Sequence, residues 1–416
     1  MSVQRPHAVV VNAAKVYPPR ELARLSEFAT VSVITMPAFA HRYEGIDDVR
    51  LVDSLYHFDQ VREAARAVYE ERGIDCVIGP AERSVPVAGL LRTWFGVPGT
   101  GFDAAMRFSN KHLMKQALRA AGLPVTDWTS IPALAQLPAA FDELGGTPVV
   151  VKPVFGGGSQ NTFVVRSRAE AEDLVGQQEA AGLRSAGFPL IVERYVDIDT
   201  EYHGDGVTHE GKLLFSGVSH YLVPPLQEQY GAVAGSISLS PAAPEYAAVQ
   251  ELHRRAVAAL GLDSGVTHLE VLGSGGELLI GEIACRPGGD GVTDLVRLQH
   301  GVDLWQAFTD TSAGRAPKAD PVTDPRTVLL VDLPLRSGEV TAVSTAADFA
   351  DLPQVAQVDA FVSVGDTVGD FRRGTAAVRV FALLDGPGEA PAFVDALMER
   401  FVLETRVGGS GSGSGS

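Results

Sequence analysis

Lys152 follows a run of valines, Val149 to Val151, and leads within a few residues into Gly156, Gly157, Gly158 and Ser159. The valines read as a buried strand, and a lysine on such a strand is rarely buried fully unless an anion meets it. Glycines let backbone N–H groups approach a ligand, and successive amides in a turn form a concave anion site. A lysine feeding a glycine turn therefore suits nucleotide phosphates. The alternative is a lysine whose stem snorkels from a strand edge before a hairpin loop. The loop lacks the Gly-Lys-Ser/Thr ending of a P-loop, which argues against that NTPase class.

A second group lies downstream. Gly265 to Leu272 and Glu277 to Ala284 read as a hairpin around Gly273 to Gly276. Alternation puts His268 and Glu270 on the face opposite Leu269 and Val271, and places Ile280 and Glu282 on one face. Antiparallel pairing then brings Glu270 near Glu282, where buried carboxylates repel unless a cation lies between them. Mg2+, held by carboxylates and phosphate oxygens, supplies one; otherwise one of the two faces water. Arg286 follows, opening the loop Pro287-Gly288-Gly289-Asp290-Gly291. It adds a permanent cation, unless a salt bridge to Glu282 or Asp290 takes it. On a helix expected from Lys111 to Ala121, capped by Ser109-Asn110, Lys111 and Lys115 share one face. Two such cations either share an anion or face water.

The elements that must position these groups alternate in type. His7 to Asn12, Val31 to Thr35 and Asp75 to Pro80 read as three strands, with helices around Arg20 to Phe28 and Val61 to Arg72. That order predicts a parallel sheet with right-handed crossovers. Its functional rim takes Asn12, Glu82 and Arg83; Glu82 there either binds a substrate amine or forms a solvated pair with Arg83. Val149 to Val154 and Thr162 to Val165 form a hairpin about the glycine turn, and Pro189 to Val196 is a further strand. Tyr202 to Val207 and Lys212 to His220 pair next, Leu222 to Ser236 is a long irregular loop, and Ala247 to Leu260 is a helix. Thr327 to Leu333, Gly338 to Val340 and Ala376 to Leu383 read as a small mostly β appendage, closed by a helix from Ala392 to Phe401.

The 416 residues exceed one ordinary core of about 100–200 residues. Hydrophobic residues at 45% and charged residues at 20% are those of a globular chain. A net charge of −17 argues against nucleic acid or an anionic membrane as partner. No run approaches the roughly 18 apolar residues of a membrane span. Cys76 and Cys285 offer neither a disulfide framework nor zinc-ligand spacing. A cytoplasmic location is expected. The ending 408–416 is a Gly/Ser tag or linker and is left out of the fold.

Lys111 at a helix start, Lys152 before a glycine loop, Glu193 to Glu201 after a strand, then Glu270, Glu282 and Arg286 occur in an order that resembles the ATP-grasp superfamily, over residues 8 to 310. The later segment looks like the C-terminal piece of ATP-grasp ligases that make dipeptides, the L-amino-acid ligases and carnosine synthases. The resemblance implies an α/β and α+β ATP-grasp fold. Its divisions are an N-terminal parallel α/β domain at 1–105, a small subdomain with the glycine loop at 106–200, a large subdomain with metal and catalytic residues at 201–320, and an α+β appendage at 321–407. It implies Lys111 and Lys152 on ATP phosphates, with Gly156, Gly157, Gly158 and Ser159 closing over them. It places adenine against Glu193, Arg194, Tyr195 and Val196, Glu201 on the ribose hydroxyls, and Glu270 and Glu282 on Mg2+. Arg286 and Lys152 would face the developing charge, and Glu82, His220, Tyr230, His268, Gly288, Gly289 and Asp290 are the expected substrate contacts. Many members read Glu-x-Asn where this chain reads Glu282-Ile283-Ala284, which puts the geometry of a second Mg2+ in question.

The implied reaction activates a carboxylate, that of an amino acid, as an acyl phosphate and joins it to an amine as an amide or dipeptide, releasing ADP and phosphate. Water must be kept from the intermediate by a lid, for which Phe155 to Ser159 and Leu222 to Ser236 are candidates. The expected partners are thus a small-molecule carboxylate and an amine, with a homodimer as the candidate assembly. The alternatives are an ATP-grasp ligase with a carrier-protein thiol or carboxylase-type acceptor, and a nucleotide-binding module without chemistry.

Overall fold

The computed structural model describes residues 5–14, 17–226, 233–369 and 376–406. The first unit is a parallel sheet of β1 (His7–Val11), β2 (Thr30–Thr35), β3 (Asp48–Leu51) and β4 (Cys76–Ile78), in the order β3-β2-β1-β4. Helices α1 (Pro19–Phe28), α2 (Phe58–Arg72) and α3 (Val85–Phe95) belong to it. After His7, β1 is apolar because both of its faces are covered, as parallel sheets require: Ala8 and Val10 pack in one core with Leu25, and Val9 and Val11 in another with Val61 and Ala65. β3 corrects the sequence reading, since its Asp48-Val49-Arg50-Leu51 carries polar residues that hide it from a hydrophobic pattern. The strand at Cys76 is thus fourth in the chain, not third.

Next come α4 (Phe102–Ser109) and α5 (Lys111–Ala120). The Asn110 side chain accepts from His112 N–H and Leu113 N–H, satisfying two donors that the helix start leaves open. The second unit is an antiparallel sheet of β5 (Trp128–Ile131), β6 (Val149–Pro153), β7 (Phe163–Val165) and β8 (Leu190–Arg194), ordered β5-β8-β6-β7. Helices α6 (Leu137–Glu143), α7 (Arg168–Gly176) and α8 (Ala181–Arg184) share its apolar core. The glycine turn joins β6 to β7, as expected.

The third unit is built on β9 (Thr200–His209), β10 (Lys212–Tyr221), β11 (Ala234–Ser238), β12 (Gly265–Ser274) and β13 (Glu277–Ala284), with α9 (Pro244–Leu260), α10 (Val292–His300) and α11 (Leu304–Ser312). Ala234 to Ser236, read from sequence as the end of an irregular loop, are in β11 because they complete a ladder with β14 (Thr327–Pro334). The chain then continues through β15 (Gly338–Val343), β16 (Val355–Ala360), β17 (Thr367–Val368), β18 (Ala376–Leu384), α12 (Ala390–Arg400) and β19 (Leu403–Arg406). One eight-stranded sheet runs β13-β12-β9-β10-β11-β14-β18-β16, so the segment after 320 extends the sheet of the preceding one. β15, β17 and β19 form a separate three-stranded sheet.

Helices α4, α5 and α9 cover one face of β12 and β13, where Phe108, Met114, Leu118 and Val249 meet Leu269, Val271, Ile280 and Ile283. A bulge decides which side chains reach that core. Glu270 pairs with Glu282, but Val271 pairs with Ile280, so Gly281 is the extra residue. Ile280 and Glu282 therefore do not share a face, contrary to simple alternation: Ile280 is buried in the core and Glu282 stands opposite Glu270.

Candidate active site

The face of β9 and β12 opposite α4, α5 and α9 carries polar side chains at one end, while at its other end Val207 and Val266 pack with α10 and α11. Along β9, Glu201, His203 and Asp205 point the same way by strand alternation, and cross-strand pairing aligns His203 with Glu270 and Asp205 with His268. Across the gap, α5 and β6 supply three lysines and β8 a glutamate. Lys111 Nζ lies 2.9 Å from Glu282 Oε1 and also donates to the Gly156 carbonyl. Lys152 Nζ lies 3.4 Å from Glu193 Oε1. Lys115, buried, donates to Thr126 Oγ1 at 2.7 Å and stands 3.6 Å from Glu193 Oε2.

Charge in this cleft is balanced by neighbours against burial. Burial would raise the Glu193 carboxyl, yet Lys115 and Lys152 outweigh it and hold it below its usual range. Burial lowers Lys115, with Glu193 opposing. For Lys152, burial is overcome by Glu193, Glu282 and Glu270, which raise it. Burial likewise opposes ionisation of Glu270, but His268, Lys152 and Lys111 bring it down. His268 donates from Nδ1 to Asp205 Oδ1 at 2.8 Å, and its Nε2 is 3.7 Å from Glu270 Oε1. Burial disfavours its charge, but Asp205 and Glu270 prevail and push it up to about 10.

Arg286 is occupied neither by Glu282 nor by Asp290. Its Nε donates to Glu82 Oε2 at 2.8 Å, so Glu82 is not a solvated partner of Arg83 either. This contact joins the loop after β4 to the loop after β13. Among the described residues, Glu82 Oε1 is buried without a hydrogen-bond partner, and burial raises its carboxyl although Arg286 opposes. The glycine turn closes on this pair: a Cβ at Gly157 would sit 3.6 Å from Arg286 Nη2 and 3.7 Å from Glu82 Cγ. Phe155, at the start of the turn, packs with Tyr56 from the first unit at 6.0 Å between ring centroids and with Phe188 at 5.3 Å; Tyr56 and Phe188 are 5.5 Å apart.

Gly288 lies over the His268–Asp205 pair, where a Cβ would stand 2.9 Å from His268 Nδ1 and 3.0 Å from Asp205 Oδ1. Only glycine fits there without displacement. Asp290 adopts φ 47°, with its Oδ1 4.0 Å from Arg379 Nη2. Arg379 is itself held by Asp332 through contacts of 2.6 and 2.9 Å. At the hinge, Arg194 N–H donates to Asp127 O and Tyr195 N–H to Pro148 O, and Val196 leads on toward β9, where Glu201 is buried on the polar face.

The structure thus brings together Lys111, Lys152, Glu193, Glu270, Glu282, Arg286, Glu82, His268 and the turn at Gly156 to Gly158. It does not bring His220 there. His220 pairs with Tyr202, and Tyr202 with Val271, so its side chain shares the face of the α9-side core, opposite His268 and Glu270. Tyr221, one residue on, points to the polar face instead, with its hydroxyl 3.4 Å from His268 Nε2. Tyr230 lies outside the described residues. Sequence reasoning passed over His203, Asp205 and Tyr221; Lys115, read there as sharing an anion with Lys111 or facing water, is buried and shares Glu193 with Lys152. A signal existed for two of them: Glu201-Tyr202-His203-Gly204-Asp205 alternates charged or titratable residues at every second position, as a strand with one functional face does.

An ATP-grasp domain model matches residues 116–298. The L-arginine-specific L-amino acid ligase of Bacillus subtilis is 31% identical over 343 residues, covering 82% of each chain. A D-alanine–D-alanine ligase of Desulfovibrio desulfuricans is 27% identical over 242 residues, 54% of this chain and 75% of its own. The crystal structure of an L-amino acid ligase from Bacillus licheniformis shares the fold at a TM-score of 0.75 and 19% identity, covering 97% of this chain and 100% of that one. A carboxyaminoimidazole ribonucleotide synthase from Aspergillus clavatus, complexed with ATP, aligns at 0.72 with 16% identity, covering 95% and 98%. The chain belongs to the ATP-grasp superfamily. Within it, the chain is an ADP-forming carboxylate–amine ligase that binds ATP and forms an amide bond. Among the described residues, no helix is long and apolar enough to cross a membrane.

Proposed function

We propose that the chain activates the carboxylate of one amino acid with ATP and joins it to the amine of a second, producing a dipeptide. The observation that carries this reading is the convergence of Lys111, Lys152, Glu270, Glu282 and Arg286 beneath one glycine turn. Lys111 and Lys152 bind the ATP phosphates, the turn from Gly156 to Ser159 covers them, the hinge from Glu193 to Val196 receives adenine, and Glu201 receives ribose. Glu270 and Glu282 fit Mg2+, because they are direct cross-strand partners, with Lys111 on Glu282 and His268 beside Glu270. When bound, the ion neutralises phosphate oxygens.

The protein's own groups then do the rest. Arg286 faces the charge that develops as phosphoryl is transferred and as the amine attacks. The free Oε1 of Glu82 suits a substrate ammonium, and the loop at Gly288, Gly289 and Asp290 lines the acyl end. A closed glycine turn keeps water from the acyl phosphate. The Bacillus subtilis relative is named for arginine, which makes arginine the first amino acid to try. Phosphate release measured across amino-acid pairs, followed by product mass, tests the substrates. Lys152→Ala and Glu282→Gln should each lower amine-dependent ADP release by about 10²- to 10³-fold while leaving the circular dichroism spectrum unchanged; release at the wild-type rate overturns the site.

A further inference from the structure

We propose that His268 is a third protein donor, through Nε2, to the divalent ion held by Glu270 and Glu282, making a mixed nitrogen and oxygen site that takes Mn2+ as well as Mg2+. The inference rests on the metal reading given above. An imidazole that ligates a metal characteristically donates its other ring N–H to a carboxylate, which fixes tautomer and orientation. His268 does this: Nδ1 meets Asp205 Oδ1 at 2.8 Å, and both side chains are buried. Asp205 is held in turn by His203 Nδ1 at 2.7 Å, and His203 Nε2 rests against Ser236 Oγ at 3.2 Å.

The other ring nitrogen therefore faces Glu270, one of the two metal carboxylates. Its separation from Glu270 Oε1 is 3.7 Å; adjacent donors about 2.1 Å from one octahedral ion lie about 3.0 Å apart, so ligation asks the ring and the carboxylate to close by roughly 0.7 Å. Tyr221 OH, at 3.4 Å, is its other neighbour. Directly across the hairpin, His268 pairs with Ala284, which brings no donor. The residue type missing from Glu282-Ile283-Ala284 is thus replaced from the facing strand. An imidazole nitrogen shifts preference toward the later first-row ions, while the carboxylates retain affinity for Mg2+ and Mn2+.

The test uses the full chain with Mn2+ and ADP, prepared unlabelled and with [15N]histidine. Electron spin-echo envelope modulation reads nitrogen bonded to Mn2+. The expected result is a 14N modulation that converts to 15N with labelled histidine and is lost in His268→Gln. Asp205→Asn, which leaves the ring present but unbraced, should weaken Mn2+ binding by about 10- to 100-fold. A wild-type complex that binds Mn2+ and ADP without histidine modulation overturns the inference, as does a modulation that survives in a folded His268→Gln. Labelled wild-type protein decides the question even if that variant fails to fold. If Mn2+ and ADP do not bind together at all, the nucleotide and metal reading falls first and this inference falls with it.

Discussion

Glu193→Gln should unbalance a buried cluster while leaving its shape intact. Glu193 is buried between Lys115 at 3.6 Å and Lys152 at 3.4 Å. Removing one member of a buried ion pair leaves an uncompensated charge, which destabilises by about 3–5 kcal/mol. Lys115 should account for most of this, because its other close contact is the neutral Thr126 hydroxyl, whereas Lys152 also feels Glu282 and Glu270. At about 2–4 °C per kcal/mol for a unit of this size, the melting temperature should fall by on the order of 10 °C. Adding Lys115→Met removes the stranded charge and should recover more than half of that loss. Calorimetry of wild type, both single variants and the double variant gives the coupling directly. Nucleotide should also raise the melting temperature of Glu193→Gln more than that of wild type, since phosphates replace the missing anion. A drop below about 2 °C, or a double variant no more stable than Glu193→Gln, refutes the reasoning.

Three further outcomes are expected. Tyr56→Ala removes one ring of the cluster that seats Phe155 on the first unit, so the ratio of ATP hydrolysis to ligation should rise several-fold; an unchanged ratio in coupled assays counts against a closing contact there. Gly288→Ala forces a Cβ to 2.8 Å from Val292 Cγ1 and 2.9 Å from His268 Nδ1, an overpacking that should destabilise by about 1–3 kcal/mol in urea titrations and depress ligation strongly. His253 is buried, accepts or donates to Ser216 and Thr267, and is lowered to about 4 by burial. The unfolded chain then binds a proton at higher pH than the folded one, so stability should fall as pH drops from about 6.5 to 4, and His253→Gln should flatten that part of the melting profile.

What the sequence disclosed depended on how local each signal was. The glycine turn after Lys152, the Asn110 cap and the Glu270–Glu282 pairing lie within single hairpins or helix starts, where neighbouring residues dictate the geometry. The Glu82–Arg286 contact joins two loops from different units, and nothing near either residue announces the other. His220 failed for a smaller reason, since a one-residue question of parity decides the face of a strand. Gly281 failed likewise, because a bulge inserts one residue without a distinctive sequence. The segment after 320 read as a small mostly β appendage, whereas β14 found its partner in β11, a long-range pairing that no local pattern signals.

That join has a consequence for how the chain is made. On a ribosome, β9 to β13 emerge well before β14 and β18, so for a time β11 ends a half-built sheet with its outer N–H and C=O groups open. Such edges recruit stray strands. Release of the nascent protein before Leu384 would leave an aggregation-prone stub, not a smaller working enzyme. Production should therefore be more sensitive to late stop codons and to slow translation across 320–384 than to changes in the first hundred residues.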